Sequence, residues 1–234
     1  MSPSRTTALA AVASIALVAT AAPAAAQIDA DRLSIHGYLT QAAAASSAHA
    51  VLGSPADFTT DYRAAAIQVR YALTAQDAFV VQLSHRRLGV SPLTDALPDV
   101  ALGWAYYQRQ VGNGSLKLGR APLPLGIFNE TRYVGTLMPL YRAPVTAYGE
   151  GFEALDGAVL SQRFAIADGW ALEAAAYAGG FTNEDAYWVS VPAGPTTTIV
   201  SGTQRSRLEP MFGGRLWIET PIPGLRVGGA ALSF

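Results

Sequence analysis

The strongest constraint in this sequence is the rhythm of its connections. Segments in which apolar and polar side chains alternate are joined by spacers that are long, then short, in unbroken order. The long ones are 46–60, 88–98, 121–154 and 181–206; the short ones are 74–76, 112–114, 165–168 and 221–224. Alternation with a period of two is the mark of a strand with one face buried. Short turns at one rim and long loops at the other are the pattern of an up-and-down barrel in an outer membrane. A soluble sandwich would carry Greek-key crossovers and no such regularity.

The segments follow in order. Leu33–Ala44 sets Leu33, Ile35, Gly37 and Leu39 against Ser34, His36, Tyr38 and Thr40. Asp61–Leu73 places Ala65, Ile67, Val69, Tyr71 and Leu73 on one face, with Gln68 and Arg70 on the other. Asp77–Arg87 opposes Phe79, Val81 and Leu83 to Gln82, Ser84 and Arg86. Val100–Val111 groups Val100, Leu102, Trp104 and Tyr106 opposite Ala101, Gly103, Ala105 and Arg109. Gly112-Asn113-Gly114 supplies residues tolerant of positive φ for a tight hairpin, and Ser115–Arg120 starts a fifth strand. Leu155–Phe164, Gly169–Gly179, Glu209–Thr220 and Leu225–Phe234 complete a set of about nine. The last two alternate poorly. Tyr71, Tyr106 and Trp170 share their strands' apolar parity near short-turn ends, where an interfacial aromatic belt would sit.

The first residues are an address. Arg5 precedes the apolar run Ala8–Val18, and Ala24-Ala25-Ala26 before Gln27 fits a small-residue cleavage site. This is the layout of a secretory signal peptide. Residues 1–26 would be removed, leaving residues 27–234 as one large domain. The chain has no cysteine, so an exported protein of this kind rests on a large core or on a membrane. Charged residues make up only 14% and the net charge is −1, which gives no basis for nucleic-acid binding. Mean hydropathy is positive, yet past residue 26 no apolar run is long enough for a transmembrane helix. The expected fold is therefore all-β: an antiparallel transmembrane β-barrel behind a signal peptide.

Several stretches resemble Gram-negative outer-membrane porins, including the phosphate-selective porin-like branch. They are LSIHGYLTQA, LKLGRAPLPLGIFNETR, RAPVTAYGEGFEALDGAVL and TPIPGLRVGGA. The resemblance implies passive diffusion of small hydrophilic solutes or ions, a homotrimer in outer-membrane lipid, and no cofactor. It also implies that the loop after the fifth strand folds into the lumen, and here the exceptional loop 121–154 follows the fifth strand. The strand number departs from the family, whose barrels have about 16–18 strands. Nine strands would leave the ninth parallel to the first, and single-chain barrels close with an even number. The expectation is thus the N-terminal part of a larger barrel, with Leu33–Ala44 and Leu225–Phe234 as unpaired edges. Phe234, with Leu232 and Gly229 before it, also fits the end of a small complete barrel.

Charge placement supplies candidate pore residues. Pro122 and Pro124 are expected to end the fifth strand, so the chain leaves the wall at Arg120, at the narrowest level. Within the loop, Arg132 and Arg142 oppose Glu130, Glu150 and Glu153. Opposed charges across a narrow lumen order water and filter solutes. Arg70, Arg86, Arg109 and Lys117 have lumen parity and favour anions weakly. These same charges could pair with the loop carboxylates and tie the loop down, and both roles can hold together. Two other functions fit a small barrel. One is a surface-binding or adhesive role resting on 181–206; the other is an outer-membrane hydrolase. For catalysis the histidines are His36, His49 and His85, without a nucleophile context. The carboxylate groups Glu150/Glu153/Asp156 and Glu184/Asp185 read as solvated loop charges, and no His/Asp/Glu spacing suggests a metal.

Overall fold

The computed structural model describes residues 29–47, 54–55, 57–89, 99–131, 134, 152–193 and 196–234. The signal segment 1–26, His49, Arg132, Arg142 and Glu150 lie outside these residues.

A short 3-10 turn, Ala30–Arg32, leads into nine strands: β1 (Leu33–Ala44), β2 (Thr59–Ala72), β3 (Asp77–Leu88), β4 (Ala101–Val111), β5 (Gly114–Pro122), β6 (Ala154–Ala167), β7 (Trp170–Ala193), β8 (Thr196–Glu219) and β9 (Arg226–Ser233). They form one sheet in sequence order, and every neighbouring pair is antiparallel. The all-β antiparallel fold expected from alternation is the observed one. β1 and β9 run in the same direction, and among the described residues no ladder joins them.

The two faces separate as the period of two demands. The outer face carries large exposed apolar side chains from edge to edge, among them Ile35, Ile67, Phe79, Val81, Leu83, Leu118, Leu160, Phe164, Phe212, Leu216 and Ile218. The inner face holds the core. Leu155, Val159, Tyr177 and Met211 of β6, β7 and β8 are buried there with Ala121, Leu123 and Phe181.

Three sequence expectations need correction. The first concerns β4. The β3–β4 ladder slips between Gln82 and Leu83: Leu83 faces Leu102 but Gln82 faces Trp104. Gly103 is therefore the extra residue of a bulge, and a bulge reverses the parity of everything after it. Leu102 stays on the outer face, while Trp104 and Tyr106 turn inward and pack with the core. Tyr106 is not part of an outer aromatic belt; Tyr107 takes that place, tilted against Phe79 at 5.7 Å. Tyr71 and Trp170 keep their outward parity.

The second concerns β5, which continues to Pro122 and pairs with β6 as far as Pro122 against Ala154. Its ladder with β4 stops at Ala105 against Arg120. The next residue, Leu123, donates its N–H to Glu153 O (3.0 Å), so Pro122's missing N–H points to the side that β4 has already left. The third is 181–206. It is not a loop but a continuation of β7 and β8 as a two-stranded ribbon, with Ala193 paired to Thr196. Tyr187–Val191 and Thr196–Val200 are rich in aromatic and β-branched residues, and these favour the extended chain over the proline and glycine signals around them.

Candidate functional site

The site is the inner face and the stretch after β5 that folds onto it. Leu123 is wholly buried in the cluster formed with Leu155, Phe181 and Met211, and Leu125 and Phe152 pack beside it. Leu125 N–H bonds back to Leu123 O (2.7 Å), and Gly126 takes a left-handed φ of 59°. That conformation turns the chain at a position where a side chain would be strained. Asn129 is buried, and its Nδ2 donates to Phe152 O at 2.5 Å. Phe152 itself lies 4.6 Å from Phe181. The two ends of 121–154 are thus stitched to each other and to the wall. The described ends of the stretch lie on the sheet face that buries Leu155, Val159, Tyr177 and Met211.

Charges fix its position. Glu130 Oε2 accepts from Arg215 Nη1 at 2.5 Å, and its Oε1 lies 3.6 Å from Lys117 Nζ. Arg215, on β8, is only 6% exposed and also donates to Glu173 Oε1 of β7 at 2.6 Å. The Lys117 ammonium stands 5.7 Å from the Tyr106 ring, a favourable cation–π placement. Toward the short turns, Arg163 of β6 is the ladder partner of Glu173 and pairs with Glu219 of β8. Signs alternate from Glu219 through Arg163, Glu173, Arg215 and Glu130 to Lys117. At the other end of the stretch, Glu153 binds Arg86 of β3 at 2.5 Å, with both side chains about four-fifths buried.

The candidate residues divide accordingly. Glu130, Glu153, Arg86 and Lys117 meet on the inner face, in the tethering geometry. Arg70 is also inward, opposite Ser34 and Val80. Arg120 and Arg109 correct the sequence reading. Arg120 shares the outward parity of Leu118, pairs with Asp156 at 3.3 Å and donates its Nε to the carbonyls of Leu102 and Gly103 (3.1 Å each). Those carbonyls are free because β4 has parted from β5. Arg109 lies outward because of the Gly103 bulge, near Asp77 at 3.5 Å, and Tyr107 Oη also bonds to Asp77. Arg132, Arg142 and Glu150 lie outside the described residues.

The sequence reading missed Arg163, Glu173, Arg215 and Glu219. Arg163, Arg215 and Glu219 stand at odd positions, each beside one large apolar even one (Phe164, Leu216, Ile218); that partial alternation is their available signal.

Charged residues border the outer apolar face. On the long-loop side stand Asp61 with Arg63 and Arg87, Arg120 with Asp156, and Arg207 with Glu209. On the short-turn side stand Asp77 and Arg109. Along β3 the ten steps from Asp77 to Arg87, at about 3.3 Å each and a tilt near 45°, span about 23 Å. Gln162 is a polar side chain on this face, and its amide is satisfied by Val111 O at 2.7 Å.

His85 accepts from Arg63 Nε at 3.0 Å and lies 2.5 Å from Asp99 O, at the long-loop border. Among the described residues no group of three His, Asp or Glu side chains could hold a metal ion.

No family model matches the chain, and no curated protein matches it. Among solved structures it is similar to a loop L8 deletion mutant of OmpT, an outer membrane protein of Vibrio cholerae. The identity is 14% over 86% of this chain and 75% of that chain, with a TM-score of 0.34. A likeness that weak establishes neither fold nor function.

Proposed function

We propose that this chain is the wall of an outer-membrane β-barrel and that the barrel is a porin, passing small hydrophilic solutes or ions. One observation carries the membrane reading: an outer face of exposed apolar side chains, about 23 Å tall, bordered above and below by ion pairs. A transmembrane barrel presents an apolar band of about 25 Å. In water such a face would far exceed the apolar patches of soluble monomers. The signal layout of residues 1–26 fits export. The pore reading is supported by the inward stretch Leu123–Thr131, clasped to the inner wall by charges as a constriction element requires.

Leu160 sits mid-way along β6 on this face. Leu160→Arg is expected to lower stability in lipid vesicles by about 2–4 kcal/mol, the penalty for a cation at the bilayer midplane. An unchanged urea midpoint for folding into vesicles would remove the membrane reading, since a solvated face tolerates the change within about 0.5 kcal/mol. The pore reading is tested in planar bilayers. The complete protein that carries this sheet is expected to give stepwise ionic conductance, and a silent bilayer with folded protein would reject it.

A second reading has one observation in its favour. β7 and β8 run well past the level where the β6–β7 ladder stops, at Asp156 opposite Gly180, and among the described residues they pair beyond it with each other alone. This ribbon stands on the long-loop side, where a surface-binding or adhesive barrel would present its contact. That reading expects cell binding to fall when 182–206 is shortened, and no conductance.

A further inference from the structure

We propose that Arg70 is the residue that selects anions in this lumen; the assignment rests on the porin reading. Among the described residues, the other inward cations near the tethered stretch are spoken for. Arg86 is held by Glu153, Lys117 by Glu130, and Arg215 by Glu130 and Glu173. Their charge is balanced locally, so a passing ion meets little net field from them. Arg70 differs. It is half-buried on the inner face of β2, and among the described residues it makes no hydrogen bond and no ion pair.

Its surroundings are donors. Ser34 is its partner on β1, and one step along the same inner face Gln68 pairs with His36. A guanidinium with five N–H groups, a hydroxyl, an amide and an imidazole make a strip that can replace part of an anion's hydration shell. Among the described residues no carboxylate stands on that strip. Tyr106 is within electrostatic reach of both Arg70 and Glu130, and its ring stands against the Lys117 ammonium. The ligand class is small anions, recognised by charge and hydrogen-bond donation.

The test is the reversal potential of the full chain in planar bilayers under a KCl gradient. Wild type is expected to prefer chloride. Arg70→Gln should lower the chloride-to-potassium permeability ratio about threefold, the size expected for one unscreened charge at a narrow wall, and Arg70→Glu should invert the preference. Arg70→Lys should retain it. Arg109→Gln removes the same charge from the outer face and should leave the reversal potential unchanged. Lower salt should enlarge the Arg70 effects. Channels that conduct normally but whose selectivity ignores Arg70→Gln and Arg70→Glu overturn this assignment alone. A wild-type protein that folds into the bilayer and conducts nothing overturns the porin reading and this assignment with it.

Discussion

The double variant Glu130→Gln, Glu173→Gln is expected to lose about 3–5 kcal/mol of stability. Arg215 is almost fully buried on β8, and its two terminal nitrogens are engaged by these two carboxylates. Its Nε is buried as well and has no hydrogen-bond partner among the described residues. Removing both counter-charges strands a guanidinium in a site that water does not reach, and the nearby Lys117 then repels it. Either single change should do less, because one carboxylate still compensates. Adding Arg215→Met to the double variant should recover most of the loss, since a buried ionic cluster replaced whole by apolar groups is often neutral. Urea titration of the refolded barrel in detergent reads all four proteins. A double variant with the wild-type midpoint would mean that the cluster is not buried as described.

Gly157→Val is expected to cost about 3 kcal/mol or prevent folding. A Cβ at Gly157 would lie 2.1 Å from Ala178 O and 2.7 Å from the Gly179 Cα. Both are backbone atoms of the adjacent strand, so no rotamer change relieves the overlap. Gly229 provides the contrast: a Cβ there meets nothing within 4 Å, and Gly229→Ala should shift the midpoint by less than about 0.5 kcal/mol. The measurement is the fraction of protein that keeps its folded, heat-modifiable mobility on a gel as temperature rises. Equal behaviour of Gly157→Val and Gly229→Ala would show that β6 and β7 do not approach so closely.

The architecture was legible because alternation is a direct record of two solvents on two faces. β1, β3 and most of β2 read correctly, as apolar residues alternate through their middle and the one register shift, at Ala42/Ala44, falls at the end of β1. β4 did not. A bulge shifts the phase without changing composition, and Gly103 is its sole trace; Trp104, Tyr106 and Arg109 were therefore assigned to the wrong faces. β8 was hard to read for a different reason. Its inner face carries Met211 where Leu123 and its neighbours cover that wall, and Trp217 beside Arg226, so apolar side chains mix with Arg215 and Glu219 on one face and blur the alternation. Arg120 is misplaced by sequence because a proline marks the expected end of a strand. The ladder persists through Pro122 since β4 has already withdrawn. Glu130 and Glu153 could be picked out as charges of the inward stretch. Arg86 and Lys117 could be picked out by parity as cations able to pair with them; Arg215 could not, because it is remote in sequence and only the fold brings it near.

The two clasps of that stretch pull in opposite directions along the sheet. Glu153 is held by β3 and Glu130 by β8, while Leu123 N–H and Glu153 O join the two ends between them. Geometrically this is a chord drawn across an arc. A chord of fixed length sets the radius of its arc, so the same ion pairs that position the stretch also set how sharply the strands from β3 to β8 bend. Lengthening the chord by one residue would flatten that arc and widen the enclosed cross-section without altering any residue of the wall.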